Sequence, residues 1–136
     1  MANIVQVRKL IEGPRCSYFS IYLQNDGVDG ELTNRVIVDP TIDFSPPLLA
    51  RSQISLMCIW YELSGFDVTF SFGGLVNTPI WVTPGTSGGN YTCFEEFGGI
   101  KDPSNPPDAS GKLQISTTGF VDATCKGSLI IGVKKN

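Results

Sequence analysis

The sequence contains no histidine. Without an imidazole there is no Ser-His or Cys-His nucleophile pair, no histidine metal ligand and no side chain that titrates unaided near neutral pH. Charge is scarce as well: charged residues are 17% of the chain, against a usual quarter. The formal net charge of −3 has the wrong sign for a protein that lives by phosphate contacts. No run of about eighteen apolar residues occurs, the length a bilayer-spanning helix needs. The N-terminus has neither the apolar core nor the small-residue cleavage site of a secretory signal. These absences predict synthesis in a cytoplasm, with no cofactor, no membrane and no direct nucleic-acid partner.

No two of the four cysteines (16, 58, 93 and 125) have the C-x-x-C spacing of a zinc ribbon or redox dithiol. The expectation is reduced thiols packed as small hydrophobes, each in a run that reads as strand, with a disulfide or metal pair as the alternative.

What is present is alternation. Apolar residues are 41% of the 136, and fifteen glycines and nine prolines punctuate them at intervals too short for helices. Along residues 53–63, Ile54, Leu56, Cys58 and Trp60 share one face and Met57, Ile59 and Tyr61 the other. A strand apolar on both faces predicts a central one. Ser64-Gly65 reads as a hairpin turn, after which Phe66, Val68, Phe70 and Phe72 alternate with Asp67, Thr69 and Ser71. Shorter strands are expected over 4–11, 16–23, 32–38, 80–83, 90–94, 112–118 and 128–133, the last two as a pair. Together they predict an all-β chain: an antiparallel β-sandwich or jelly-roll/barrel-like single domain over 1–136. Residues 1–15 would form an extended N-terminal arm or edge strand. Two long loops carry three prolines each. Residues 39–51 are greasy enough to pack onto something; residues 101–111 are polar and read as surface.

A search for chemistry returns little. Glu95 and Glu96 would point to opposite faces of a strand, so they form no acid/base dyad. The Gly85–Gly89 stretch has the glycines of a phosphate loop but not its Lys-Ser/Thr ending. Asn90-Tyr91-Thr92 fits a glycosylation pattern that matters only after export, and the lone aspartates lack calcium-loop spacing. No catalytic, cofactor or metal residue is assigned, and the expectation is a protein that is not an enzyme. Charge placement says more. Residues 36–111 hold eight acidic and two basic groups, whereas the two end segments hold eight basic and five acidic. Basic ends against an acidic neighbour would give electrostatic register.

Several segments, taken in order, carry a resemblance. They are Met1-Ala2-Asn3-Ile4-Val5, Ile11-Glu12-Gly13-Pro14-Arg15, Val36-Ile37-Val38-Asp39-Pro40, Thr78-Pro79-Ile80, Phe97-Gly98-Gly99-Ile100, the Gly111–Phe120 run and Ser128-Leu129-Ile130-Ile131. The set resembles a family of small structural proteins encoded in the virion modules of tailed bacteriophages. The resemblance implies a capsid decoration (cement) protein, assembled in the host cytoplasm and resident in the virion. It would bind the major capsid protein or other virion proteins, as a homo-oligomer such as a trimer. Interface candidates are Arg8, Pro14 and Arg15 on the basic first strand and its exit, with Phe44, Leu48 and Leu49 in the proline-rich loop. The alternatives are a head–tail joining or tail protein, and a carbohydrate-binding adhesin that stacks sugars on Trp60, Trp81, Tyr91 and Tyr61.

Overall fold

The computed structural model describes residues 3–28, 30–40, 42–44, 54–74, 78–85, 89–101 and 109–135. The expected all-β architecture holds. Among the described residues ten strands run β1 (Ile4–Glu12), β2 (Cys16–Gln24), β3 (Arg35–Val38), β4 (Ile54–Ser64), β5 (Asp67–Gly74), β6 (Thr78–Thr83), β7 (Gly89–Cys93), β8 (Ile100–Lys101), β9 (Ala109–Thr118) and β10 (Lys126–Lys135). The only helical element among the described residues is the 3-10 turn Glu95–Phe97.

The strands form two antiparallel sheets. One has the order β1-β2-β10-β4-β7, with β8 continuing the β7 edge along β4; the other has the order β3-β9-β5-β6. A shared core lies between them: Phe19, Ile21 and Leu23 of β2, Leu129, Ile131 and Val133 of β10, and Ile59 and Tyr61 of β4 meet Val68, Phe70 and Phe72 of β5 and Leu113 and Ile115 of β9. Each of these sets repeats every second residue, which is why alternation found the strands.

Alternation did not find their partners. The hairpin expected at Ser64-Gly65 is instead an arch. β4 lies in the larger sheet and β5 in the smaller, and β4 pairs with β10, β7 and β8. Gly65, at φ 84°, supplies the left-handed residue that turns the chain across the sandwich. The expected pair 112–118 with 128–133 is likewise split, since β9 and β10 belong to different sheets. The two crossings meet at one end, where Phe66 and Phe120 pack with ring centroids 4.7 Å apart. Both faces of a sandwich need the same apolar alternation, so periodicity leaves open which wall a strand joins.

A bulge in β4 overturns the expected face assignment. Cys58 pairs with Gly132 but Leu56 with Val133, so Met57 is an extra residue opposite β10. Ile54 and Leu56 therefore point into the core, and after Met57 the inward set becomes Ile59, Tyr61 and Leu63. Cys58 and Trp60 leave the face they would have shared with Leu56. The strand is central, as expected, but its two apolar faces come from this switch.

At one end of the sandwich Glu12 gathers cations. Its Oε1 lies 2.7 Å from Lys9 Nζ and its Oε2 2.9 Å from Lys135 Nζ. Lys135 also sits 5.0 Å over the Phe44 ring, and Lys9 donates to the Asp43 carbonyl. Two cations of the basic end segments are thus held within the chain. At the opposite end Glu31 accepts from Thr117 Oγ1 and from the Gly119 and Phe120 amides, tying the segment before β3 to the end of β9.

Candidate interaction surface

The outward positions of the larger sheet are fixed by register. Arg8 pairs with Ser20, Ser20 with Ile130, Ile130 with Trp60 and Trp60 with Tyr91. These five residues form one rung across five strands, all on the solvent side. The next rung runs Ile11, Tyr18, Gly132, Cys58 and Cys93; on the other side lie Gln6, Tyr22, Ser128 and Glu62.

The middle of this face is apolar and open. Trp60 is 41% exposed, Tyr91 44%, Leu10 51% and Ile11 63%. Trp60 stacks on Tyr91 with centroids 4.6 Å apart and planes 29° apart, and Tyr18 lies 6.3 Å away on the other side. Leu10, Ile11, Tyr18, Trp60 and Ile130 line a shallow concavity of about 480 Å³. Gly132 lies against the Tyr18 ring: a Cβ there would come within 2.7 Å of Cys58 Sγ and 3.0 Å of the ring. The absent side chain lets Tyr18 lie flat across β10 towards Trp60.

Titration behaviour follows from this packing. A hydrogen bond with Cys93, then desolvation, pushes the Tyr91 phenol up to about 12. Burial first, then neighbouring charge, raises Tyr18 above its ordinary value. Burial likewise pushes the Cys58 thiol up to about 11. All three groups are therefore neutral at physiological pH, and charge on this face is carried by groups that include Arg8, Glu62 and Lys126. Weakly charged centres with charged rims are the usual layout of protein–protein contact surfaces.

The sequence-predicted residues divide. Arg8 lies on this face, in the same rung as Trp60. Pro14 and Arg15 are exposed at the β1–β2 turn, where the Arg15 carbonyl accepts from the Lys135 amide. Phe44 is corrected: at 2% exposure it packs edge-on against Phe19, 6.1 Å away, and belongs to the core. A greasy loop residue can satisfy its need for cover within its own chain, and this one does. Leu48 and Leu49 lie outside the described residues. Of the stacking candidates, Tyr61 is buried and Trp81 sets its edge against Phe94, whereas Trp60 and Tyr91 form an open pair. Sequence reasoning passed over Tyr18, Ile11 and Ile130. The run Tyr18, Ser20, Tyr22, alternating with Phe19, Ile21 and Leu23, was the available signal for an aromatic outer face. Cys125 lies in the loop before β10 rather than in a strand, with its Sγ 3.3 Å from the Gly119 carbonyl.

No group of three or more metal-ligating side chains occurs among the described residues, and no described helix is long and apolar enough to cross a membrane. The chain matches no family model, and neither the curated proteins nor the solved structures compared with it give a match.

Proposed function

We propose that this chain is a non-enzymatic structural protein of a tailed-phage virion, a decoration protein that attaches to the major capsid protein through the outer face of its larger sheet. The ordered segments from Met1-Ala2-Asn3 to Ser128-Leu129-Ile130-Ile131 support the virion assignment by resemblance. The observation that carries the attachment reading is the rung Arg8–Ser20–Ile130–Trp60–Tyr91. Trp, Tyr and Arg are the residue types that dominate binding energy at protein interfaces, and here they are aligned on one rigid surface. A contiguous apolar patch of this kind marks a binding site far more often than it serves the isolated fold. Repetition over a symmetric shell would multiply a modest single contact through avidity.

Electron microscopy of purified particles tests the reading. The chain is expected on the outer shell in copy numbers on the scale of the capsid lattice, with the Trp60–Tyr91 face against the shell. Its absence from the shell surface overturns the proposal, and a handful of copies at one vertex favours the head–tail reading instead. Sedimentation of the free chain tests the associated expectation of a homo-oligomer. A second reading has an observation of its own: the exposed, nearly parallel Trp60–Tyr91 pair is a platform on which a sugar ring could stack. Glycan-array binding that is lost in Trp60→Ala would favour that adhesin reading.

A further inference from the structure

We propose that Cys58 and Cys93 are a redox-closing pair: oxidation joins them in a disulfide that staples the edge strand β7 to the central strand β4. The inference is independent of what the outer face binds.

The register carries it. Cys58 and Cys93 stand directly opposite each other in the antiparallel β4–β7 ladder. The amide of Phe94 donates to the carbonyl of Met57 at 2.7 Å. Residues 57 and 94 are therefore a hydrogen-bonded pair and 58 and 93 a non-hydrogen-bonded one, because the two kinds alternate along an antiparallel ladder. In a non-hydrogen-bonded pair the Cα atoms are about 4.5 Å apart and the side chains approach most closely, just inside the roughly 4.4–6.8 Å range that a disulfide spans. The neighbouring pair of the same kind, Trp60 and Tyr91, is in ring contact on the same face, so side chains at these positions do meet across the strands.

Both thiols are free as the chain stands. Cys58 Sγ is turned towards Gly132, so closure requires one rotation about its Cα–Cβ bond, between staggered wells. Access sets the order of events. Cys93 is exposed and Cys58 is 1% exposed. A small-molecule disulfide such as oxidised glutathione therefore meets Cys93 first. The Cys93 thiolate attacks it, forming a mixed disulfide and expelling one glutathione thiolate. The Cys58 thiolate then attacks the Cys93 sulfur and expels the second. Two protons leave the protein, the pair is oxidised by two electrons and one glutathione disulfide is reduced to two thiols. Burial holds the Cys58 thiol up to about 11, so closure from the mixed disulfide accelerates about tenfold per pH unit below that value. The bond would lock β7, and with it Tyr91, against Trp60.

The test treats the purified full chain with oxidised glutathione at pH 8.5 and counts thiols in denaturant. The expected result is a fall from the four thiols of the sequence to two, a mass loss of two hydrogens and a Cys58–Cys93 peptide in the non-reduced digest. The melting temperature should rise by on the order of 10 °C and return on adding dithiothreitol. Cys93→Ser, an exposed substitution, should abolish both the bond and the shift, whereas Cys16→Ser should keep them. Four free thiols after oxidation, a mixed disulfide that stays on Cys93, or a Cys93–Cys93 link between chains each overturns the inference.

Discussion

The larger sheet turns the ring cluster Trp60, Tyr91 and Tyr18, with Ile130, to its outer side, whereas the outer rungs of the smaller sheet run Val82, Thr69 and Ser116, then Ser71, Gln114 and Val36, with no aromatic ring among these six. Both sheets send the same class of side chain inward, so a core does not explain the difference. A strand needs only a β-former on its water face, and threonine meets that need at little cost in solubility. The aromatic face exceeds what folding demands. The smaller sheet's outer side holds the single exposed valines Val36 and Val82 beside small polar groups, and Ser116 Oγ there accepts from the Asn34 amide. On the proposed reading, the contrast favours the aromatic side for attachment.

The comparison can be broken or sharpened in order of effect. Phe70→Ala, in the shared core and fully buried, should cost about 3–5 kcal/mol in denaturant unfolding, because it opens a cavity common to both sheets. A loss under about 1 kcal/mol would mean that the sheets do not share one core. If the chain attaches to a shell as proposed, Trp60→Ala should weaken that attachment by about 2 kcal/mol, roughly thirtyfold, and Thr69→Ala on the opposite face should leave it within about twofold. Equal effects from the two faces would remove the assignment of binding to one of them. Glu12→Gln weakens the contacts of Lys9 and Lys135 together, and a loss of about 1 kcal/mol, shrinking in high salt, is expected from thermal unfolding. No change would mean that these ion pairs are only structural ornament.

The smallest effect concerns Asp122. Hydrogen bonds from the Thr124 hydroxyl, then from its amide, hold the Asp122 carboxyl below its ordinary value of 3.8. A folded value depressed below the unfolded one adds stability above the ordinary value and loses it as pH falls through the folded one. The melting temperature of Asp122→Asn should therefore lie slightly and evenly below that of the parent from pH 7 to about 5, with the gap closing on acidification beneath 3.8. A gap that widened in acid would show that the sign is wrong.

Strand positions were legible because burial on one face writes a period of two, as in Phe66, Val68, Phe70 and Phe72. Partners were not, since β10 inserts between β2 and β4 from the far end of the sequence and no local pattern records that. The face carrying Trp60 was misread for a different reason. A bulge adds one residue without changing composition, so Cys58 and Trp60 look like companions of Leu56 until the pairing with β10 is known. Phe44 was misread because a loop residue's exposure depends on distant cover, here Phe19 and Lys135. The open aromatic face was half-visible in Tyr18, Ser20 and Tyr22, but aligning it with Trp60 and Tyr91 required four separate registers.

The extra residue in β4 also makes this segment unequal in what it tolerates. Loss of the single codon for Met57 would remove the bulge and restore strict two-residue repetition, with Ile54, Leu56, Ile59, Tyr61 and Leu63 still inward and Cys58 and Trp60 still outward. What it would cost is the Met57 carbonyl, which accepts from the Phe94 amide. Shortening by Met57 should therefore leave both faces of β4 in place, whereas loss of one residue from the regular stretch between Cys58 and Leu63 would turn the faces over on one side of the gap.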